Sequence, residues 1–123
     1  MRGKNASGAL GEESAAKHLE SLGYRILCRN YRTRLAEIDI IAVHGGCLCF
    51  VEVKTRKSKN FGSAYEAVNF AKRQKMILGA RSFMAAHPSF SQFRFDVVEV
   101  YGKATGDGFA VSEINVIQNA FEV

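Results

Sequence analysis

Cysteine is scarce: Cys28, Cys47 and Cys49 are the only three in 123 residues. An odd count cannot close a disulfide framework, which fits a reducing compartment. His44, Cys47 and Cys49 stand near one another, but a structural zinc needs four ligands and there is no second pair at ligand spacing. Long apolar runs are missing too. No stretch approaches the roughly 18 residues of a membrane helix, so no membrane association is expected. The opening MRGKNASGAL lacks the apolar centre of a secretory signal, and cytoplasmic residence is the expectation. There is no internal repeat, low-complexity tract or linker. A chain of 123 residues, 47% hydrophobic and 24% charged, reads as one globular domain spanning 1–123.

Acidic residues are nearly absent from one segment. Between Lys54 and Arg81 the cations Lys54, Arg56, Lys57, Lys59, Lys72, Arg73, Lys75 and Arg81 face the lone acid Glu66, a local net charge of +7 in a chain whose formal net is +5. A second group, Arg25, Arg29, Arg32 and Arg34, precedes the first clearly marked strand, which begins at Glu37. Positive charge gathered in this way attracts a polyanion, because neutralising phosphates releases condensed counterions. Nucleic acid, DNA first, is the expected partner. A solvated basic face that only keeps the chain soluble would account for the same charges.

Hydrophobic periodicity supplies the elements. Ala15, Ala16, Leu19 and Leu22 recur at helical spacing from about Gly8 to Leu22, and Gly23 follows as a C-terminal stop. Glu12 points inward with this set, while Glu13 lines up with Lys17 and Glu20 on the polar side. Tyr24 to Tyr31 reads as a short edge strand leading into an Arg-rich turn. Glu37–His44 and Cys47–Lys54 read as strands flanking Gly45-Gly46, a dipeptide suited to a two-residue hairpin turn. Ser63-Ala64-Tyr65-Glu66 has the form of a capping box, so a second helix is predicted from there to about Ala86, with Ala64, Ala67, Val68, Ala71 and Leu78 on its apolar face and Pro88 beyond its end. Phe93–Tyr101 and Phe109–Ile117 complete the strands, joined by a glycine-rich turn over Gly102–Gly108. Phe83, Phe90, Phe93 and Phe95 are expected to fill a core rather than form an adaptor surface. A helix between strands implies a mixed sheet covered by helices, an α/β or α+β sandwich.

The hairpin carries the chemistry. A two-residue turn at Gly45-Gly46 places Glu37 opposite Lys54, Asp39 opposite Glu52 and Ile41 opposite Phe50 on one side of the sheet, and the apolar set Ile38, Ile40, Ala42, Cys47, Cys49, Val51 and Val53 on the other. Two opposed carboxylates repel, so such a pair calls for a cation, a shared proton or a functional reason. With main-chain carbonyls they form a hard oxygen site suited to Mg²⁺ or Mn²⁺, and Lys54 emerges beside them where a phosphate would sit. That is the chemistry of metal-assisted phosphodiester hydrolysis. An ordinary Glu37–Lys54 ion pair and a wet sheet edge would explain the same residues without any reaction.

Asp39 followed by Glu52-Val53-Lys54 resembles the D-x(n)-E-x-K pattern of the PD-(D/E)xK nucleases, and Glu12 resembles the extra helix acid of their archaeal Holliday-junction-resolvase branch. More of the chain, from Gly11-Glu12 through Asn30-Tyr31-Arg32, Glu37-Ile38-Asp39-Ile40-Ile41, Phe50-Val51-Glu52-Val53-Lys54-Thr55-Arg56, Phe61-Gly62 and Glu66-Ala67-Val68 to Arg94-Phe95-Asp96-Val97-Val98, resembles the UPF0102, or YraN, family. One departure is Ala36, where that family usually has glycine. The resemblance implies a restriction-endonuclease-like mixed central sheet flanked by helices. It also implies Asp39 and Glu52 as ligands to Mg²⁺ or Mn²⁺ with the Val53 carbonyl, Lys54 as the catalytic lysine, and Glu12 holding the metal or its water. The implied activity is an endonuclease on structured or branched DNA, with a silent nucleic-acid-binding module on the same fold as the competing expectation. Arg29, Arg32, Lys57, Lys59, Lys72, Arg73 and Lys75 are the candidate phosphate contacts. Cutting both arms of a junction calls for two sites related by a two-fold axis, so a homodimer is compatible with the implied activity, and the sequence leaves it open.

Overall fold

A computed structural model describes residues 6–57 and 68–123, with side chains from residue 8 in the first stretch. The element order is α1 (Ala6–Ser21), β1 (Arg25–Arg32), β2 (Glu37–His44), β3 (Cys47–Arg56), α2 (Phe70–Ala86), β4 (Phe93–Thr105) and β5 (Gly108–Phe121). The strands form one sheet in sequence order, antiparallel throughout except for the parallel pair β3–β4. Parallel neighbours need a crossover, and α2 lies in it. This is the α/β, restriction-endonuclease-like arrangement expected from the sequence.

Both faces of the central strands β2, β3 and β4 are buried. On one, Ala15, Ala16 and Leu19 of α1 cluster with Ile40, Ala42, Cys49, Val51, Val98 and Val100. On the other, Met76, Ile77, Ala80 and Phe83 of α2 cluster with Ile41, Leu48, Phe50, Phe95 and Val97. The expectation of a single apolar side was therefore incomplete: Ile41 and Phe50, assigned to the acidic side, sit under a second helix. Among the phenylalanines, Phe83 and Phe95 are core residues and Phe90 packs against them, whereas Phe93 is partly exposed.

Helix α1 ends as its sequence dictates. Gly23 adopts φ +93°, the Tyr24 N–H donates to Leu19 O at 3.0 Å and the Gly23 N–H donates to Glu20 O at 3.1 Å, which satisfies the carbonyls a helix end leaves unpaired. Helix α2 differs from expectation. The Ser63–Glu66 capping box, Ala64 and Ala67 lie outside the described residues, and the described helix starts at Phe70, capped by Asn69, whose side chain accepts from the Lys72 N–H at 3.0 Å. Val68 is buried but lies before that cap, and Leu78, expected on the apolar face, is exposed. Gly79 takes the inward position instead, because a Cβ there would meet Ile38 Cδ1 at 2.9 Å. Strands β4 and β5 also run past their expected ends, leaving Gly106 and Asp107 between them. Gly102 sits inside β4 at a register shift, where a side chain would press into the Ala110 carbonyl.

Candidate functional site

The glycine turn sets the hairpin register as expected: Gly45 and Gly46 adopt φ +58° and +78°, and pairing runs from His44↔Cys47 through Ile41↔Phe50 to Ile40↔Val51. There the ladder stops. Asp39 and Glu52, next in the series, are not a rung. Instead the Val53 N–H donates to Asp39 Oδ2 at 2.9 Å, so a side chain stands where a β2 carbonyl would continue the sheet.

Strand β2 changes phase at this point. Ile41 and Ile38 both face α2, although they are three residues apart, while Ile40 and Ala42 face α1. Strict alternation would put Ile38 with Ile40, so this part of the sequence reading fails. The irregular step lies around Asp39 and carries its carboxylate across the opened ladder toward β3. A strand residue directs its N–H and C=O to the same flank, so the Val53 carbonyl opens toward Asp39 as well.

Glu52 projects from β3 on the α2 side and is 3% exposed. Burial, followed by the neighbouring Asp39 carboxylate, pushes its carboxyl up to about 7, against the lowering pull of Lys72 and Lys54. Asp39 is close enough to Glu52 to share a hydrogen bond with it. Lys54 Nζ stands 3.4 Å from Glu52 Oε2, and Lys72 Nζ stands 3.5 Å from Oε1. The latter is an ion-pair distance without hydrogen-bond geometry: Glu52 Oε1 is buried with no hydrogen-bond partner among the described residues.

Glu12 is buried at 3% exposure on the inward side of α1, as its position predicts. Gly11 beside it abuts the Thr55 side chain, where a Cβ would collide, so α1 approaches β3 one residue beyond Lys54. Among the described residues no three His, Cys, Asp or Glu side chains converge as a ligand cluster, so the structure brings together Asp39 and Glu52 but adds no third. The same holds for His44, Cys47 and Cys49. Glu37 is ion-paired with Arg32 at 2.8 Å, on the flank away from β3.

The residues present fit a hard divalent cation. The Asp39 carboxylate raises the proton affinity of its neighbour Glu52, the Val53 main chain holds Asp39, and one buried oxygen of Glu52 lacks a hydrogen-bond partner among the described residues.

The cations predicted to contact phosphate divide. Arg32, Lys72 and Lys75 line one groove together with Arg34. Arg29 lies apart, its guanidinium 2.7 Å from Glu13 on α1. Arg73 is committed to packing: Nε donates to Val68 O at 3.2 Å and its guanidinium lies over the Phe121 ring at 5.9 Å. Lys57, at the end of β3, borders a small depression with Lys103 and Ser112. Lys59 lies outside the described residues.

A polar cluster on the α1 side was not foreseen. Asp96, fully buried, accepts from Tyr24 Oη at 2.9 Å, from Arg94 Nε at 3.0 Å and from the Asn119 N–H at 3.0 Å. Arg94 also reaches His44 Nδ1 at 3.0 Å, and the His44 ring stacks on Tyr24 at 4.2 Å. Burial and then Asp96 push the Tyr24 phenol up to about 12, and the same two causes act on the Cys49 thiol, likewise to about 12. The signal was the alternation in Arg94-Phe95-Asp96, which places both charges on one side of β4. This cluster ties the end of α1 to β4 and β5.

A family model described as "Uncharacterised protein family UPF0102" matches residues 11–100. The chain belongs to this family. UPF0102 relatives extend along nearly its whole length. A UPF0102 protein of Caldanaerobacter subterraneus subsp. tengcongensis is 42% identical over 120 residues, covering 96% of each chain. A UPF0102 protein of Caldicellulosiruptor saccharolyticus is 43% identical, covering 96% of this chain and 98% of its own. A UPF0102 protein of Desulforapulum autotrophicum is 46% identical, covering 97% and 95%. Asp39, Glu52, Val53, Lys54 and Glu12 all fall within the segment matched by the UPF0102 model. None of the described helices is long and apolar enough to cross a membrane.

Proposed function

We propose that this UPF0102 chain is a divalent-metal-dependent nuclease that hydrolyses phosphodiester bonds in structured or branched DNA. The observation that carries this reading is the buried pair of neighbouring carboxylates, Asp39 and Glu52, with a Glu52 oxygen that has no hydrogen-bond partner among the described residues and two lysine ammonium groups beside it. Placing two like charges together out of water is costly, and such an arrangement is retained where a cation or a shared proton offsets the repulsion.

Asp39 and Glu52, with the Val53 carbonyl, would hold Mg²⁺ or Mn²⁺. When bound, that ion polarises the phosphate and lowers the pKa of its water. The residues of the chain do the rest. Val53 fixes Asp39 through its N–H, so the carboxylate is held ready by the backbone. Lys54 emerges on the same side of β3 as Glu52 and presents its ammonium to a non-bridging phosphate oxygen, where charge builds as the bond breaks. Lys72 brings a second ammonium from α2. Glu12, buried on α1 beside the Gly11–Thr55 contact with β3, would orient water at the site rather than hold the ion itself. A two-fold dimer would present two such sites to a four-way junction.

The test is a panel of linear, flapped and four-way-junction DNAs incubated with Mg²⁺ or Mn²⁺, comparing the wild type with Glu52→Ala and Lys54→Ala. Metal-dependent cutting by the wild type, lost in both variants while DNA binding is kept, is the expected result. Equal cutting by all three proteins would expose contamination. Salt-sensitive binding with no cutting on any substrate would leave a binding module on a nuclease fold.

A further inference from the structure

Lys72 has two neighbourhoods. Its ammonium stands 3.5 Å from Glu52 Oε1, and the residue also lines a surface groove of about 460 Å³ between the β1–β2 turn and α2. Arg32, Arg34 and Lys75 supply the other cations of this groove, and its acid, Glu37, is already ion-paired with Arg32 at 2.8 Å. The groove is thus a track of positive charge that begins beside the carboxylate pair.

The turn that forms one wall is rigidly made. Thr33 Oγ1 accepts the N–H groups of Leu35 at 3.3 Å and Ala36 at 3.0 Å, and the Thr33 N–H donates to Ala36 O at 2.8 Å. Its crown therefore has a fixed conformation, and it presents Leu35, 68% exposed, next to Arg34. An exposed leucine alone is ordinary. On a hydrogen-bonded turn, flanked by cations and bordering a groove that leads to two buried acids, it has the make-up of an apolar wedge between base steps, the device that nucleic-acid-binding proteins use beside arginine and lysine.

We propose that this groove grips the backbone of a DNA strand and that Leu35 inserts into a base step, so that the chain selects duplexes already opened at a flap or junction. The inference rests on the nuclease reading and gives that site its substrate selectivity. Unstacking an intact step costs free energy that a branch point has already lost, so a wedge favours the interrupted duplex. Lys72 then passes the gripped strand to Glu52, which places a phosphate of that strand beside Lys54.

Binding measured in chelator, where cutting does not intervene, tests this apart from catalysis. Fluorescence anisotropy of the full chain is followed across a salt series on continuous, flapped and four-way-junction DNAs, the branched ones carrying 2-aminopurine next to the branch. The wild type should prefer the branched DNAs and raise the 2-aminopurine signal. Arg34→Ala and Lys75→Ala should weaken binding to all three DNAs and each reduce the salt slope by about one, whereas Lys17→Ala on α1 should leave the slope unchanged. Leu35→Ala should keep the slope but lose roughly tenfold of the branch preference, together with the fluorescence rise. A Leu35→Ala protein that retains preference and signal, or salt slopes unaffected by Arg34→Ala and Lys75→Ala, overturns the inference. Metal-dependent cutting that survives in those same variants would leave the nuclease reading standing. A wild type that binds none of the DNAs overturns both.

Discussion

Asp39 Oδ2 takes the Val53 N–H at 2.9 Å in a place where neighbouring strands would otherwise pair backbone to backbone. One carboxylate thus serves as a structural acceptor and as a candidate ligand, and substitutions can separate the two roles. Asp39→Ala leaves the Val53 N–H without that acceptor and should cost about 1–3 kcal/mol in a urea unfolding series. Asp39→Asn keeps an acceptor oxygen and removes the charge facing Glu52, so it should cost clearly less. Both variants should lose metal-dependent activity.

The raised Glu52 carboxyl makes stability depend on pH. Its folded-state value is about 7 against an ordinary 4.5, so between these values the folded chain holds a proton that the unfolded chain has released. Stability therefore falls as pH rises from about 4.5 to 7. Its contribution is fully present below the lower value and is on the order of a few kcal/mol. Urea midpoints in chelator should show this decline in the wild type and a flatter profile in Glu52→Gln. An identical slope in both proteins would assign the pH dependence to another group.

Divalent ions should act on the same pair. Above pH 7, Mg²⁺ or Mn²⁺ at a hundred times its dissociation constant should raise the stability of the wild type by about 2.7 kcal/mol, because only the folded chain brings Asp39 and Glu52 together. Thermal melts with and without the ion should show this in the wild type and not in Glu52→Gln. An equal rise in both would place the ion elsewhere.

Gly79 reverses the usual helix preference. Alanine at a helix interior is favoured over glycine by about 1 kcal/mol, yet here the added methyl would lie 2.9 Å from Cδ1 and 3.1 Å from Cγ1 of the fully buried Ile38. Gly79→Ala should therefore destabilise the chain by about 1–3 kcal/mol. Adding Ile38→Val, which removes Cδ1, should recover part of that loss. Chemical denaturation of the single and double variants checks both statements.

Much of this arrangement could be read from residues. Gly45-Gly46 fixed the hairpin because few dipeptides tolerate two positive φ angles, and every rung from His44↔Cys47 to Ile40↔Val51 followed. The inward aim of Glu12 and the stop at Gly23 were local consequences of helix geometry. The rule that succeeded in the hairpin failed at its open end. Alternation assumes an unbroken strand, and β2 shifts phase between Ile38 and Ile40, so Asp39 leaves its expected rung and Glu37 meets Arg32. Lys72 beside Glu52 was hidden for another reason: the two meet only when α2 folds over the sheet, which no local spacing encodes. In β4, Gly102 read as a turn because glycine serves turns and in-strand bulges alike, and only the pairing with β5 separates the two.

The phase shift in β2 also limits how the strand can vary. Ile38 and Ile41 are both anchored under α2, and the odd spacing between them is what turns the intervening aspartate toward the neighbouring strand. Deleting one residue from this stretch would restore a regular zigzag, keep both isoleucines seated and close the rung, leaving no room for a charged group between the strands. Tolerance of length and retention of the acid are thereby opposed: the segment can be regular or it can hold its aspartate in place, but not both.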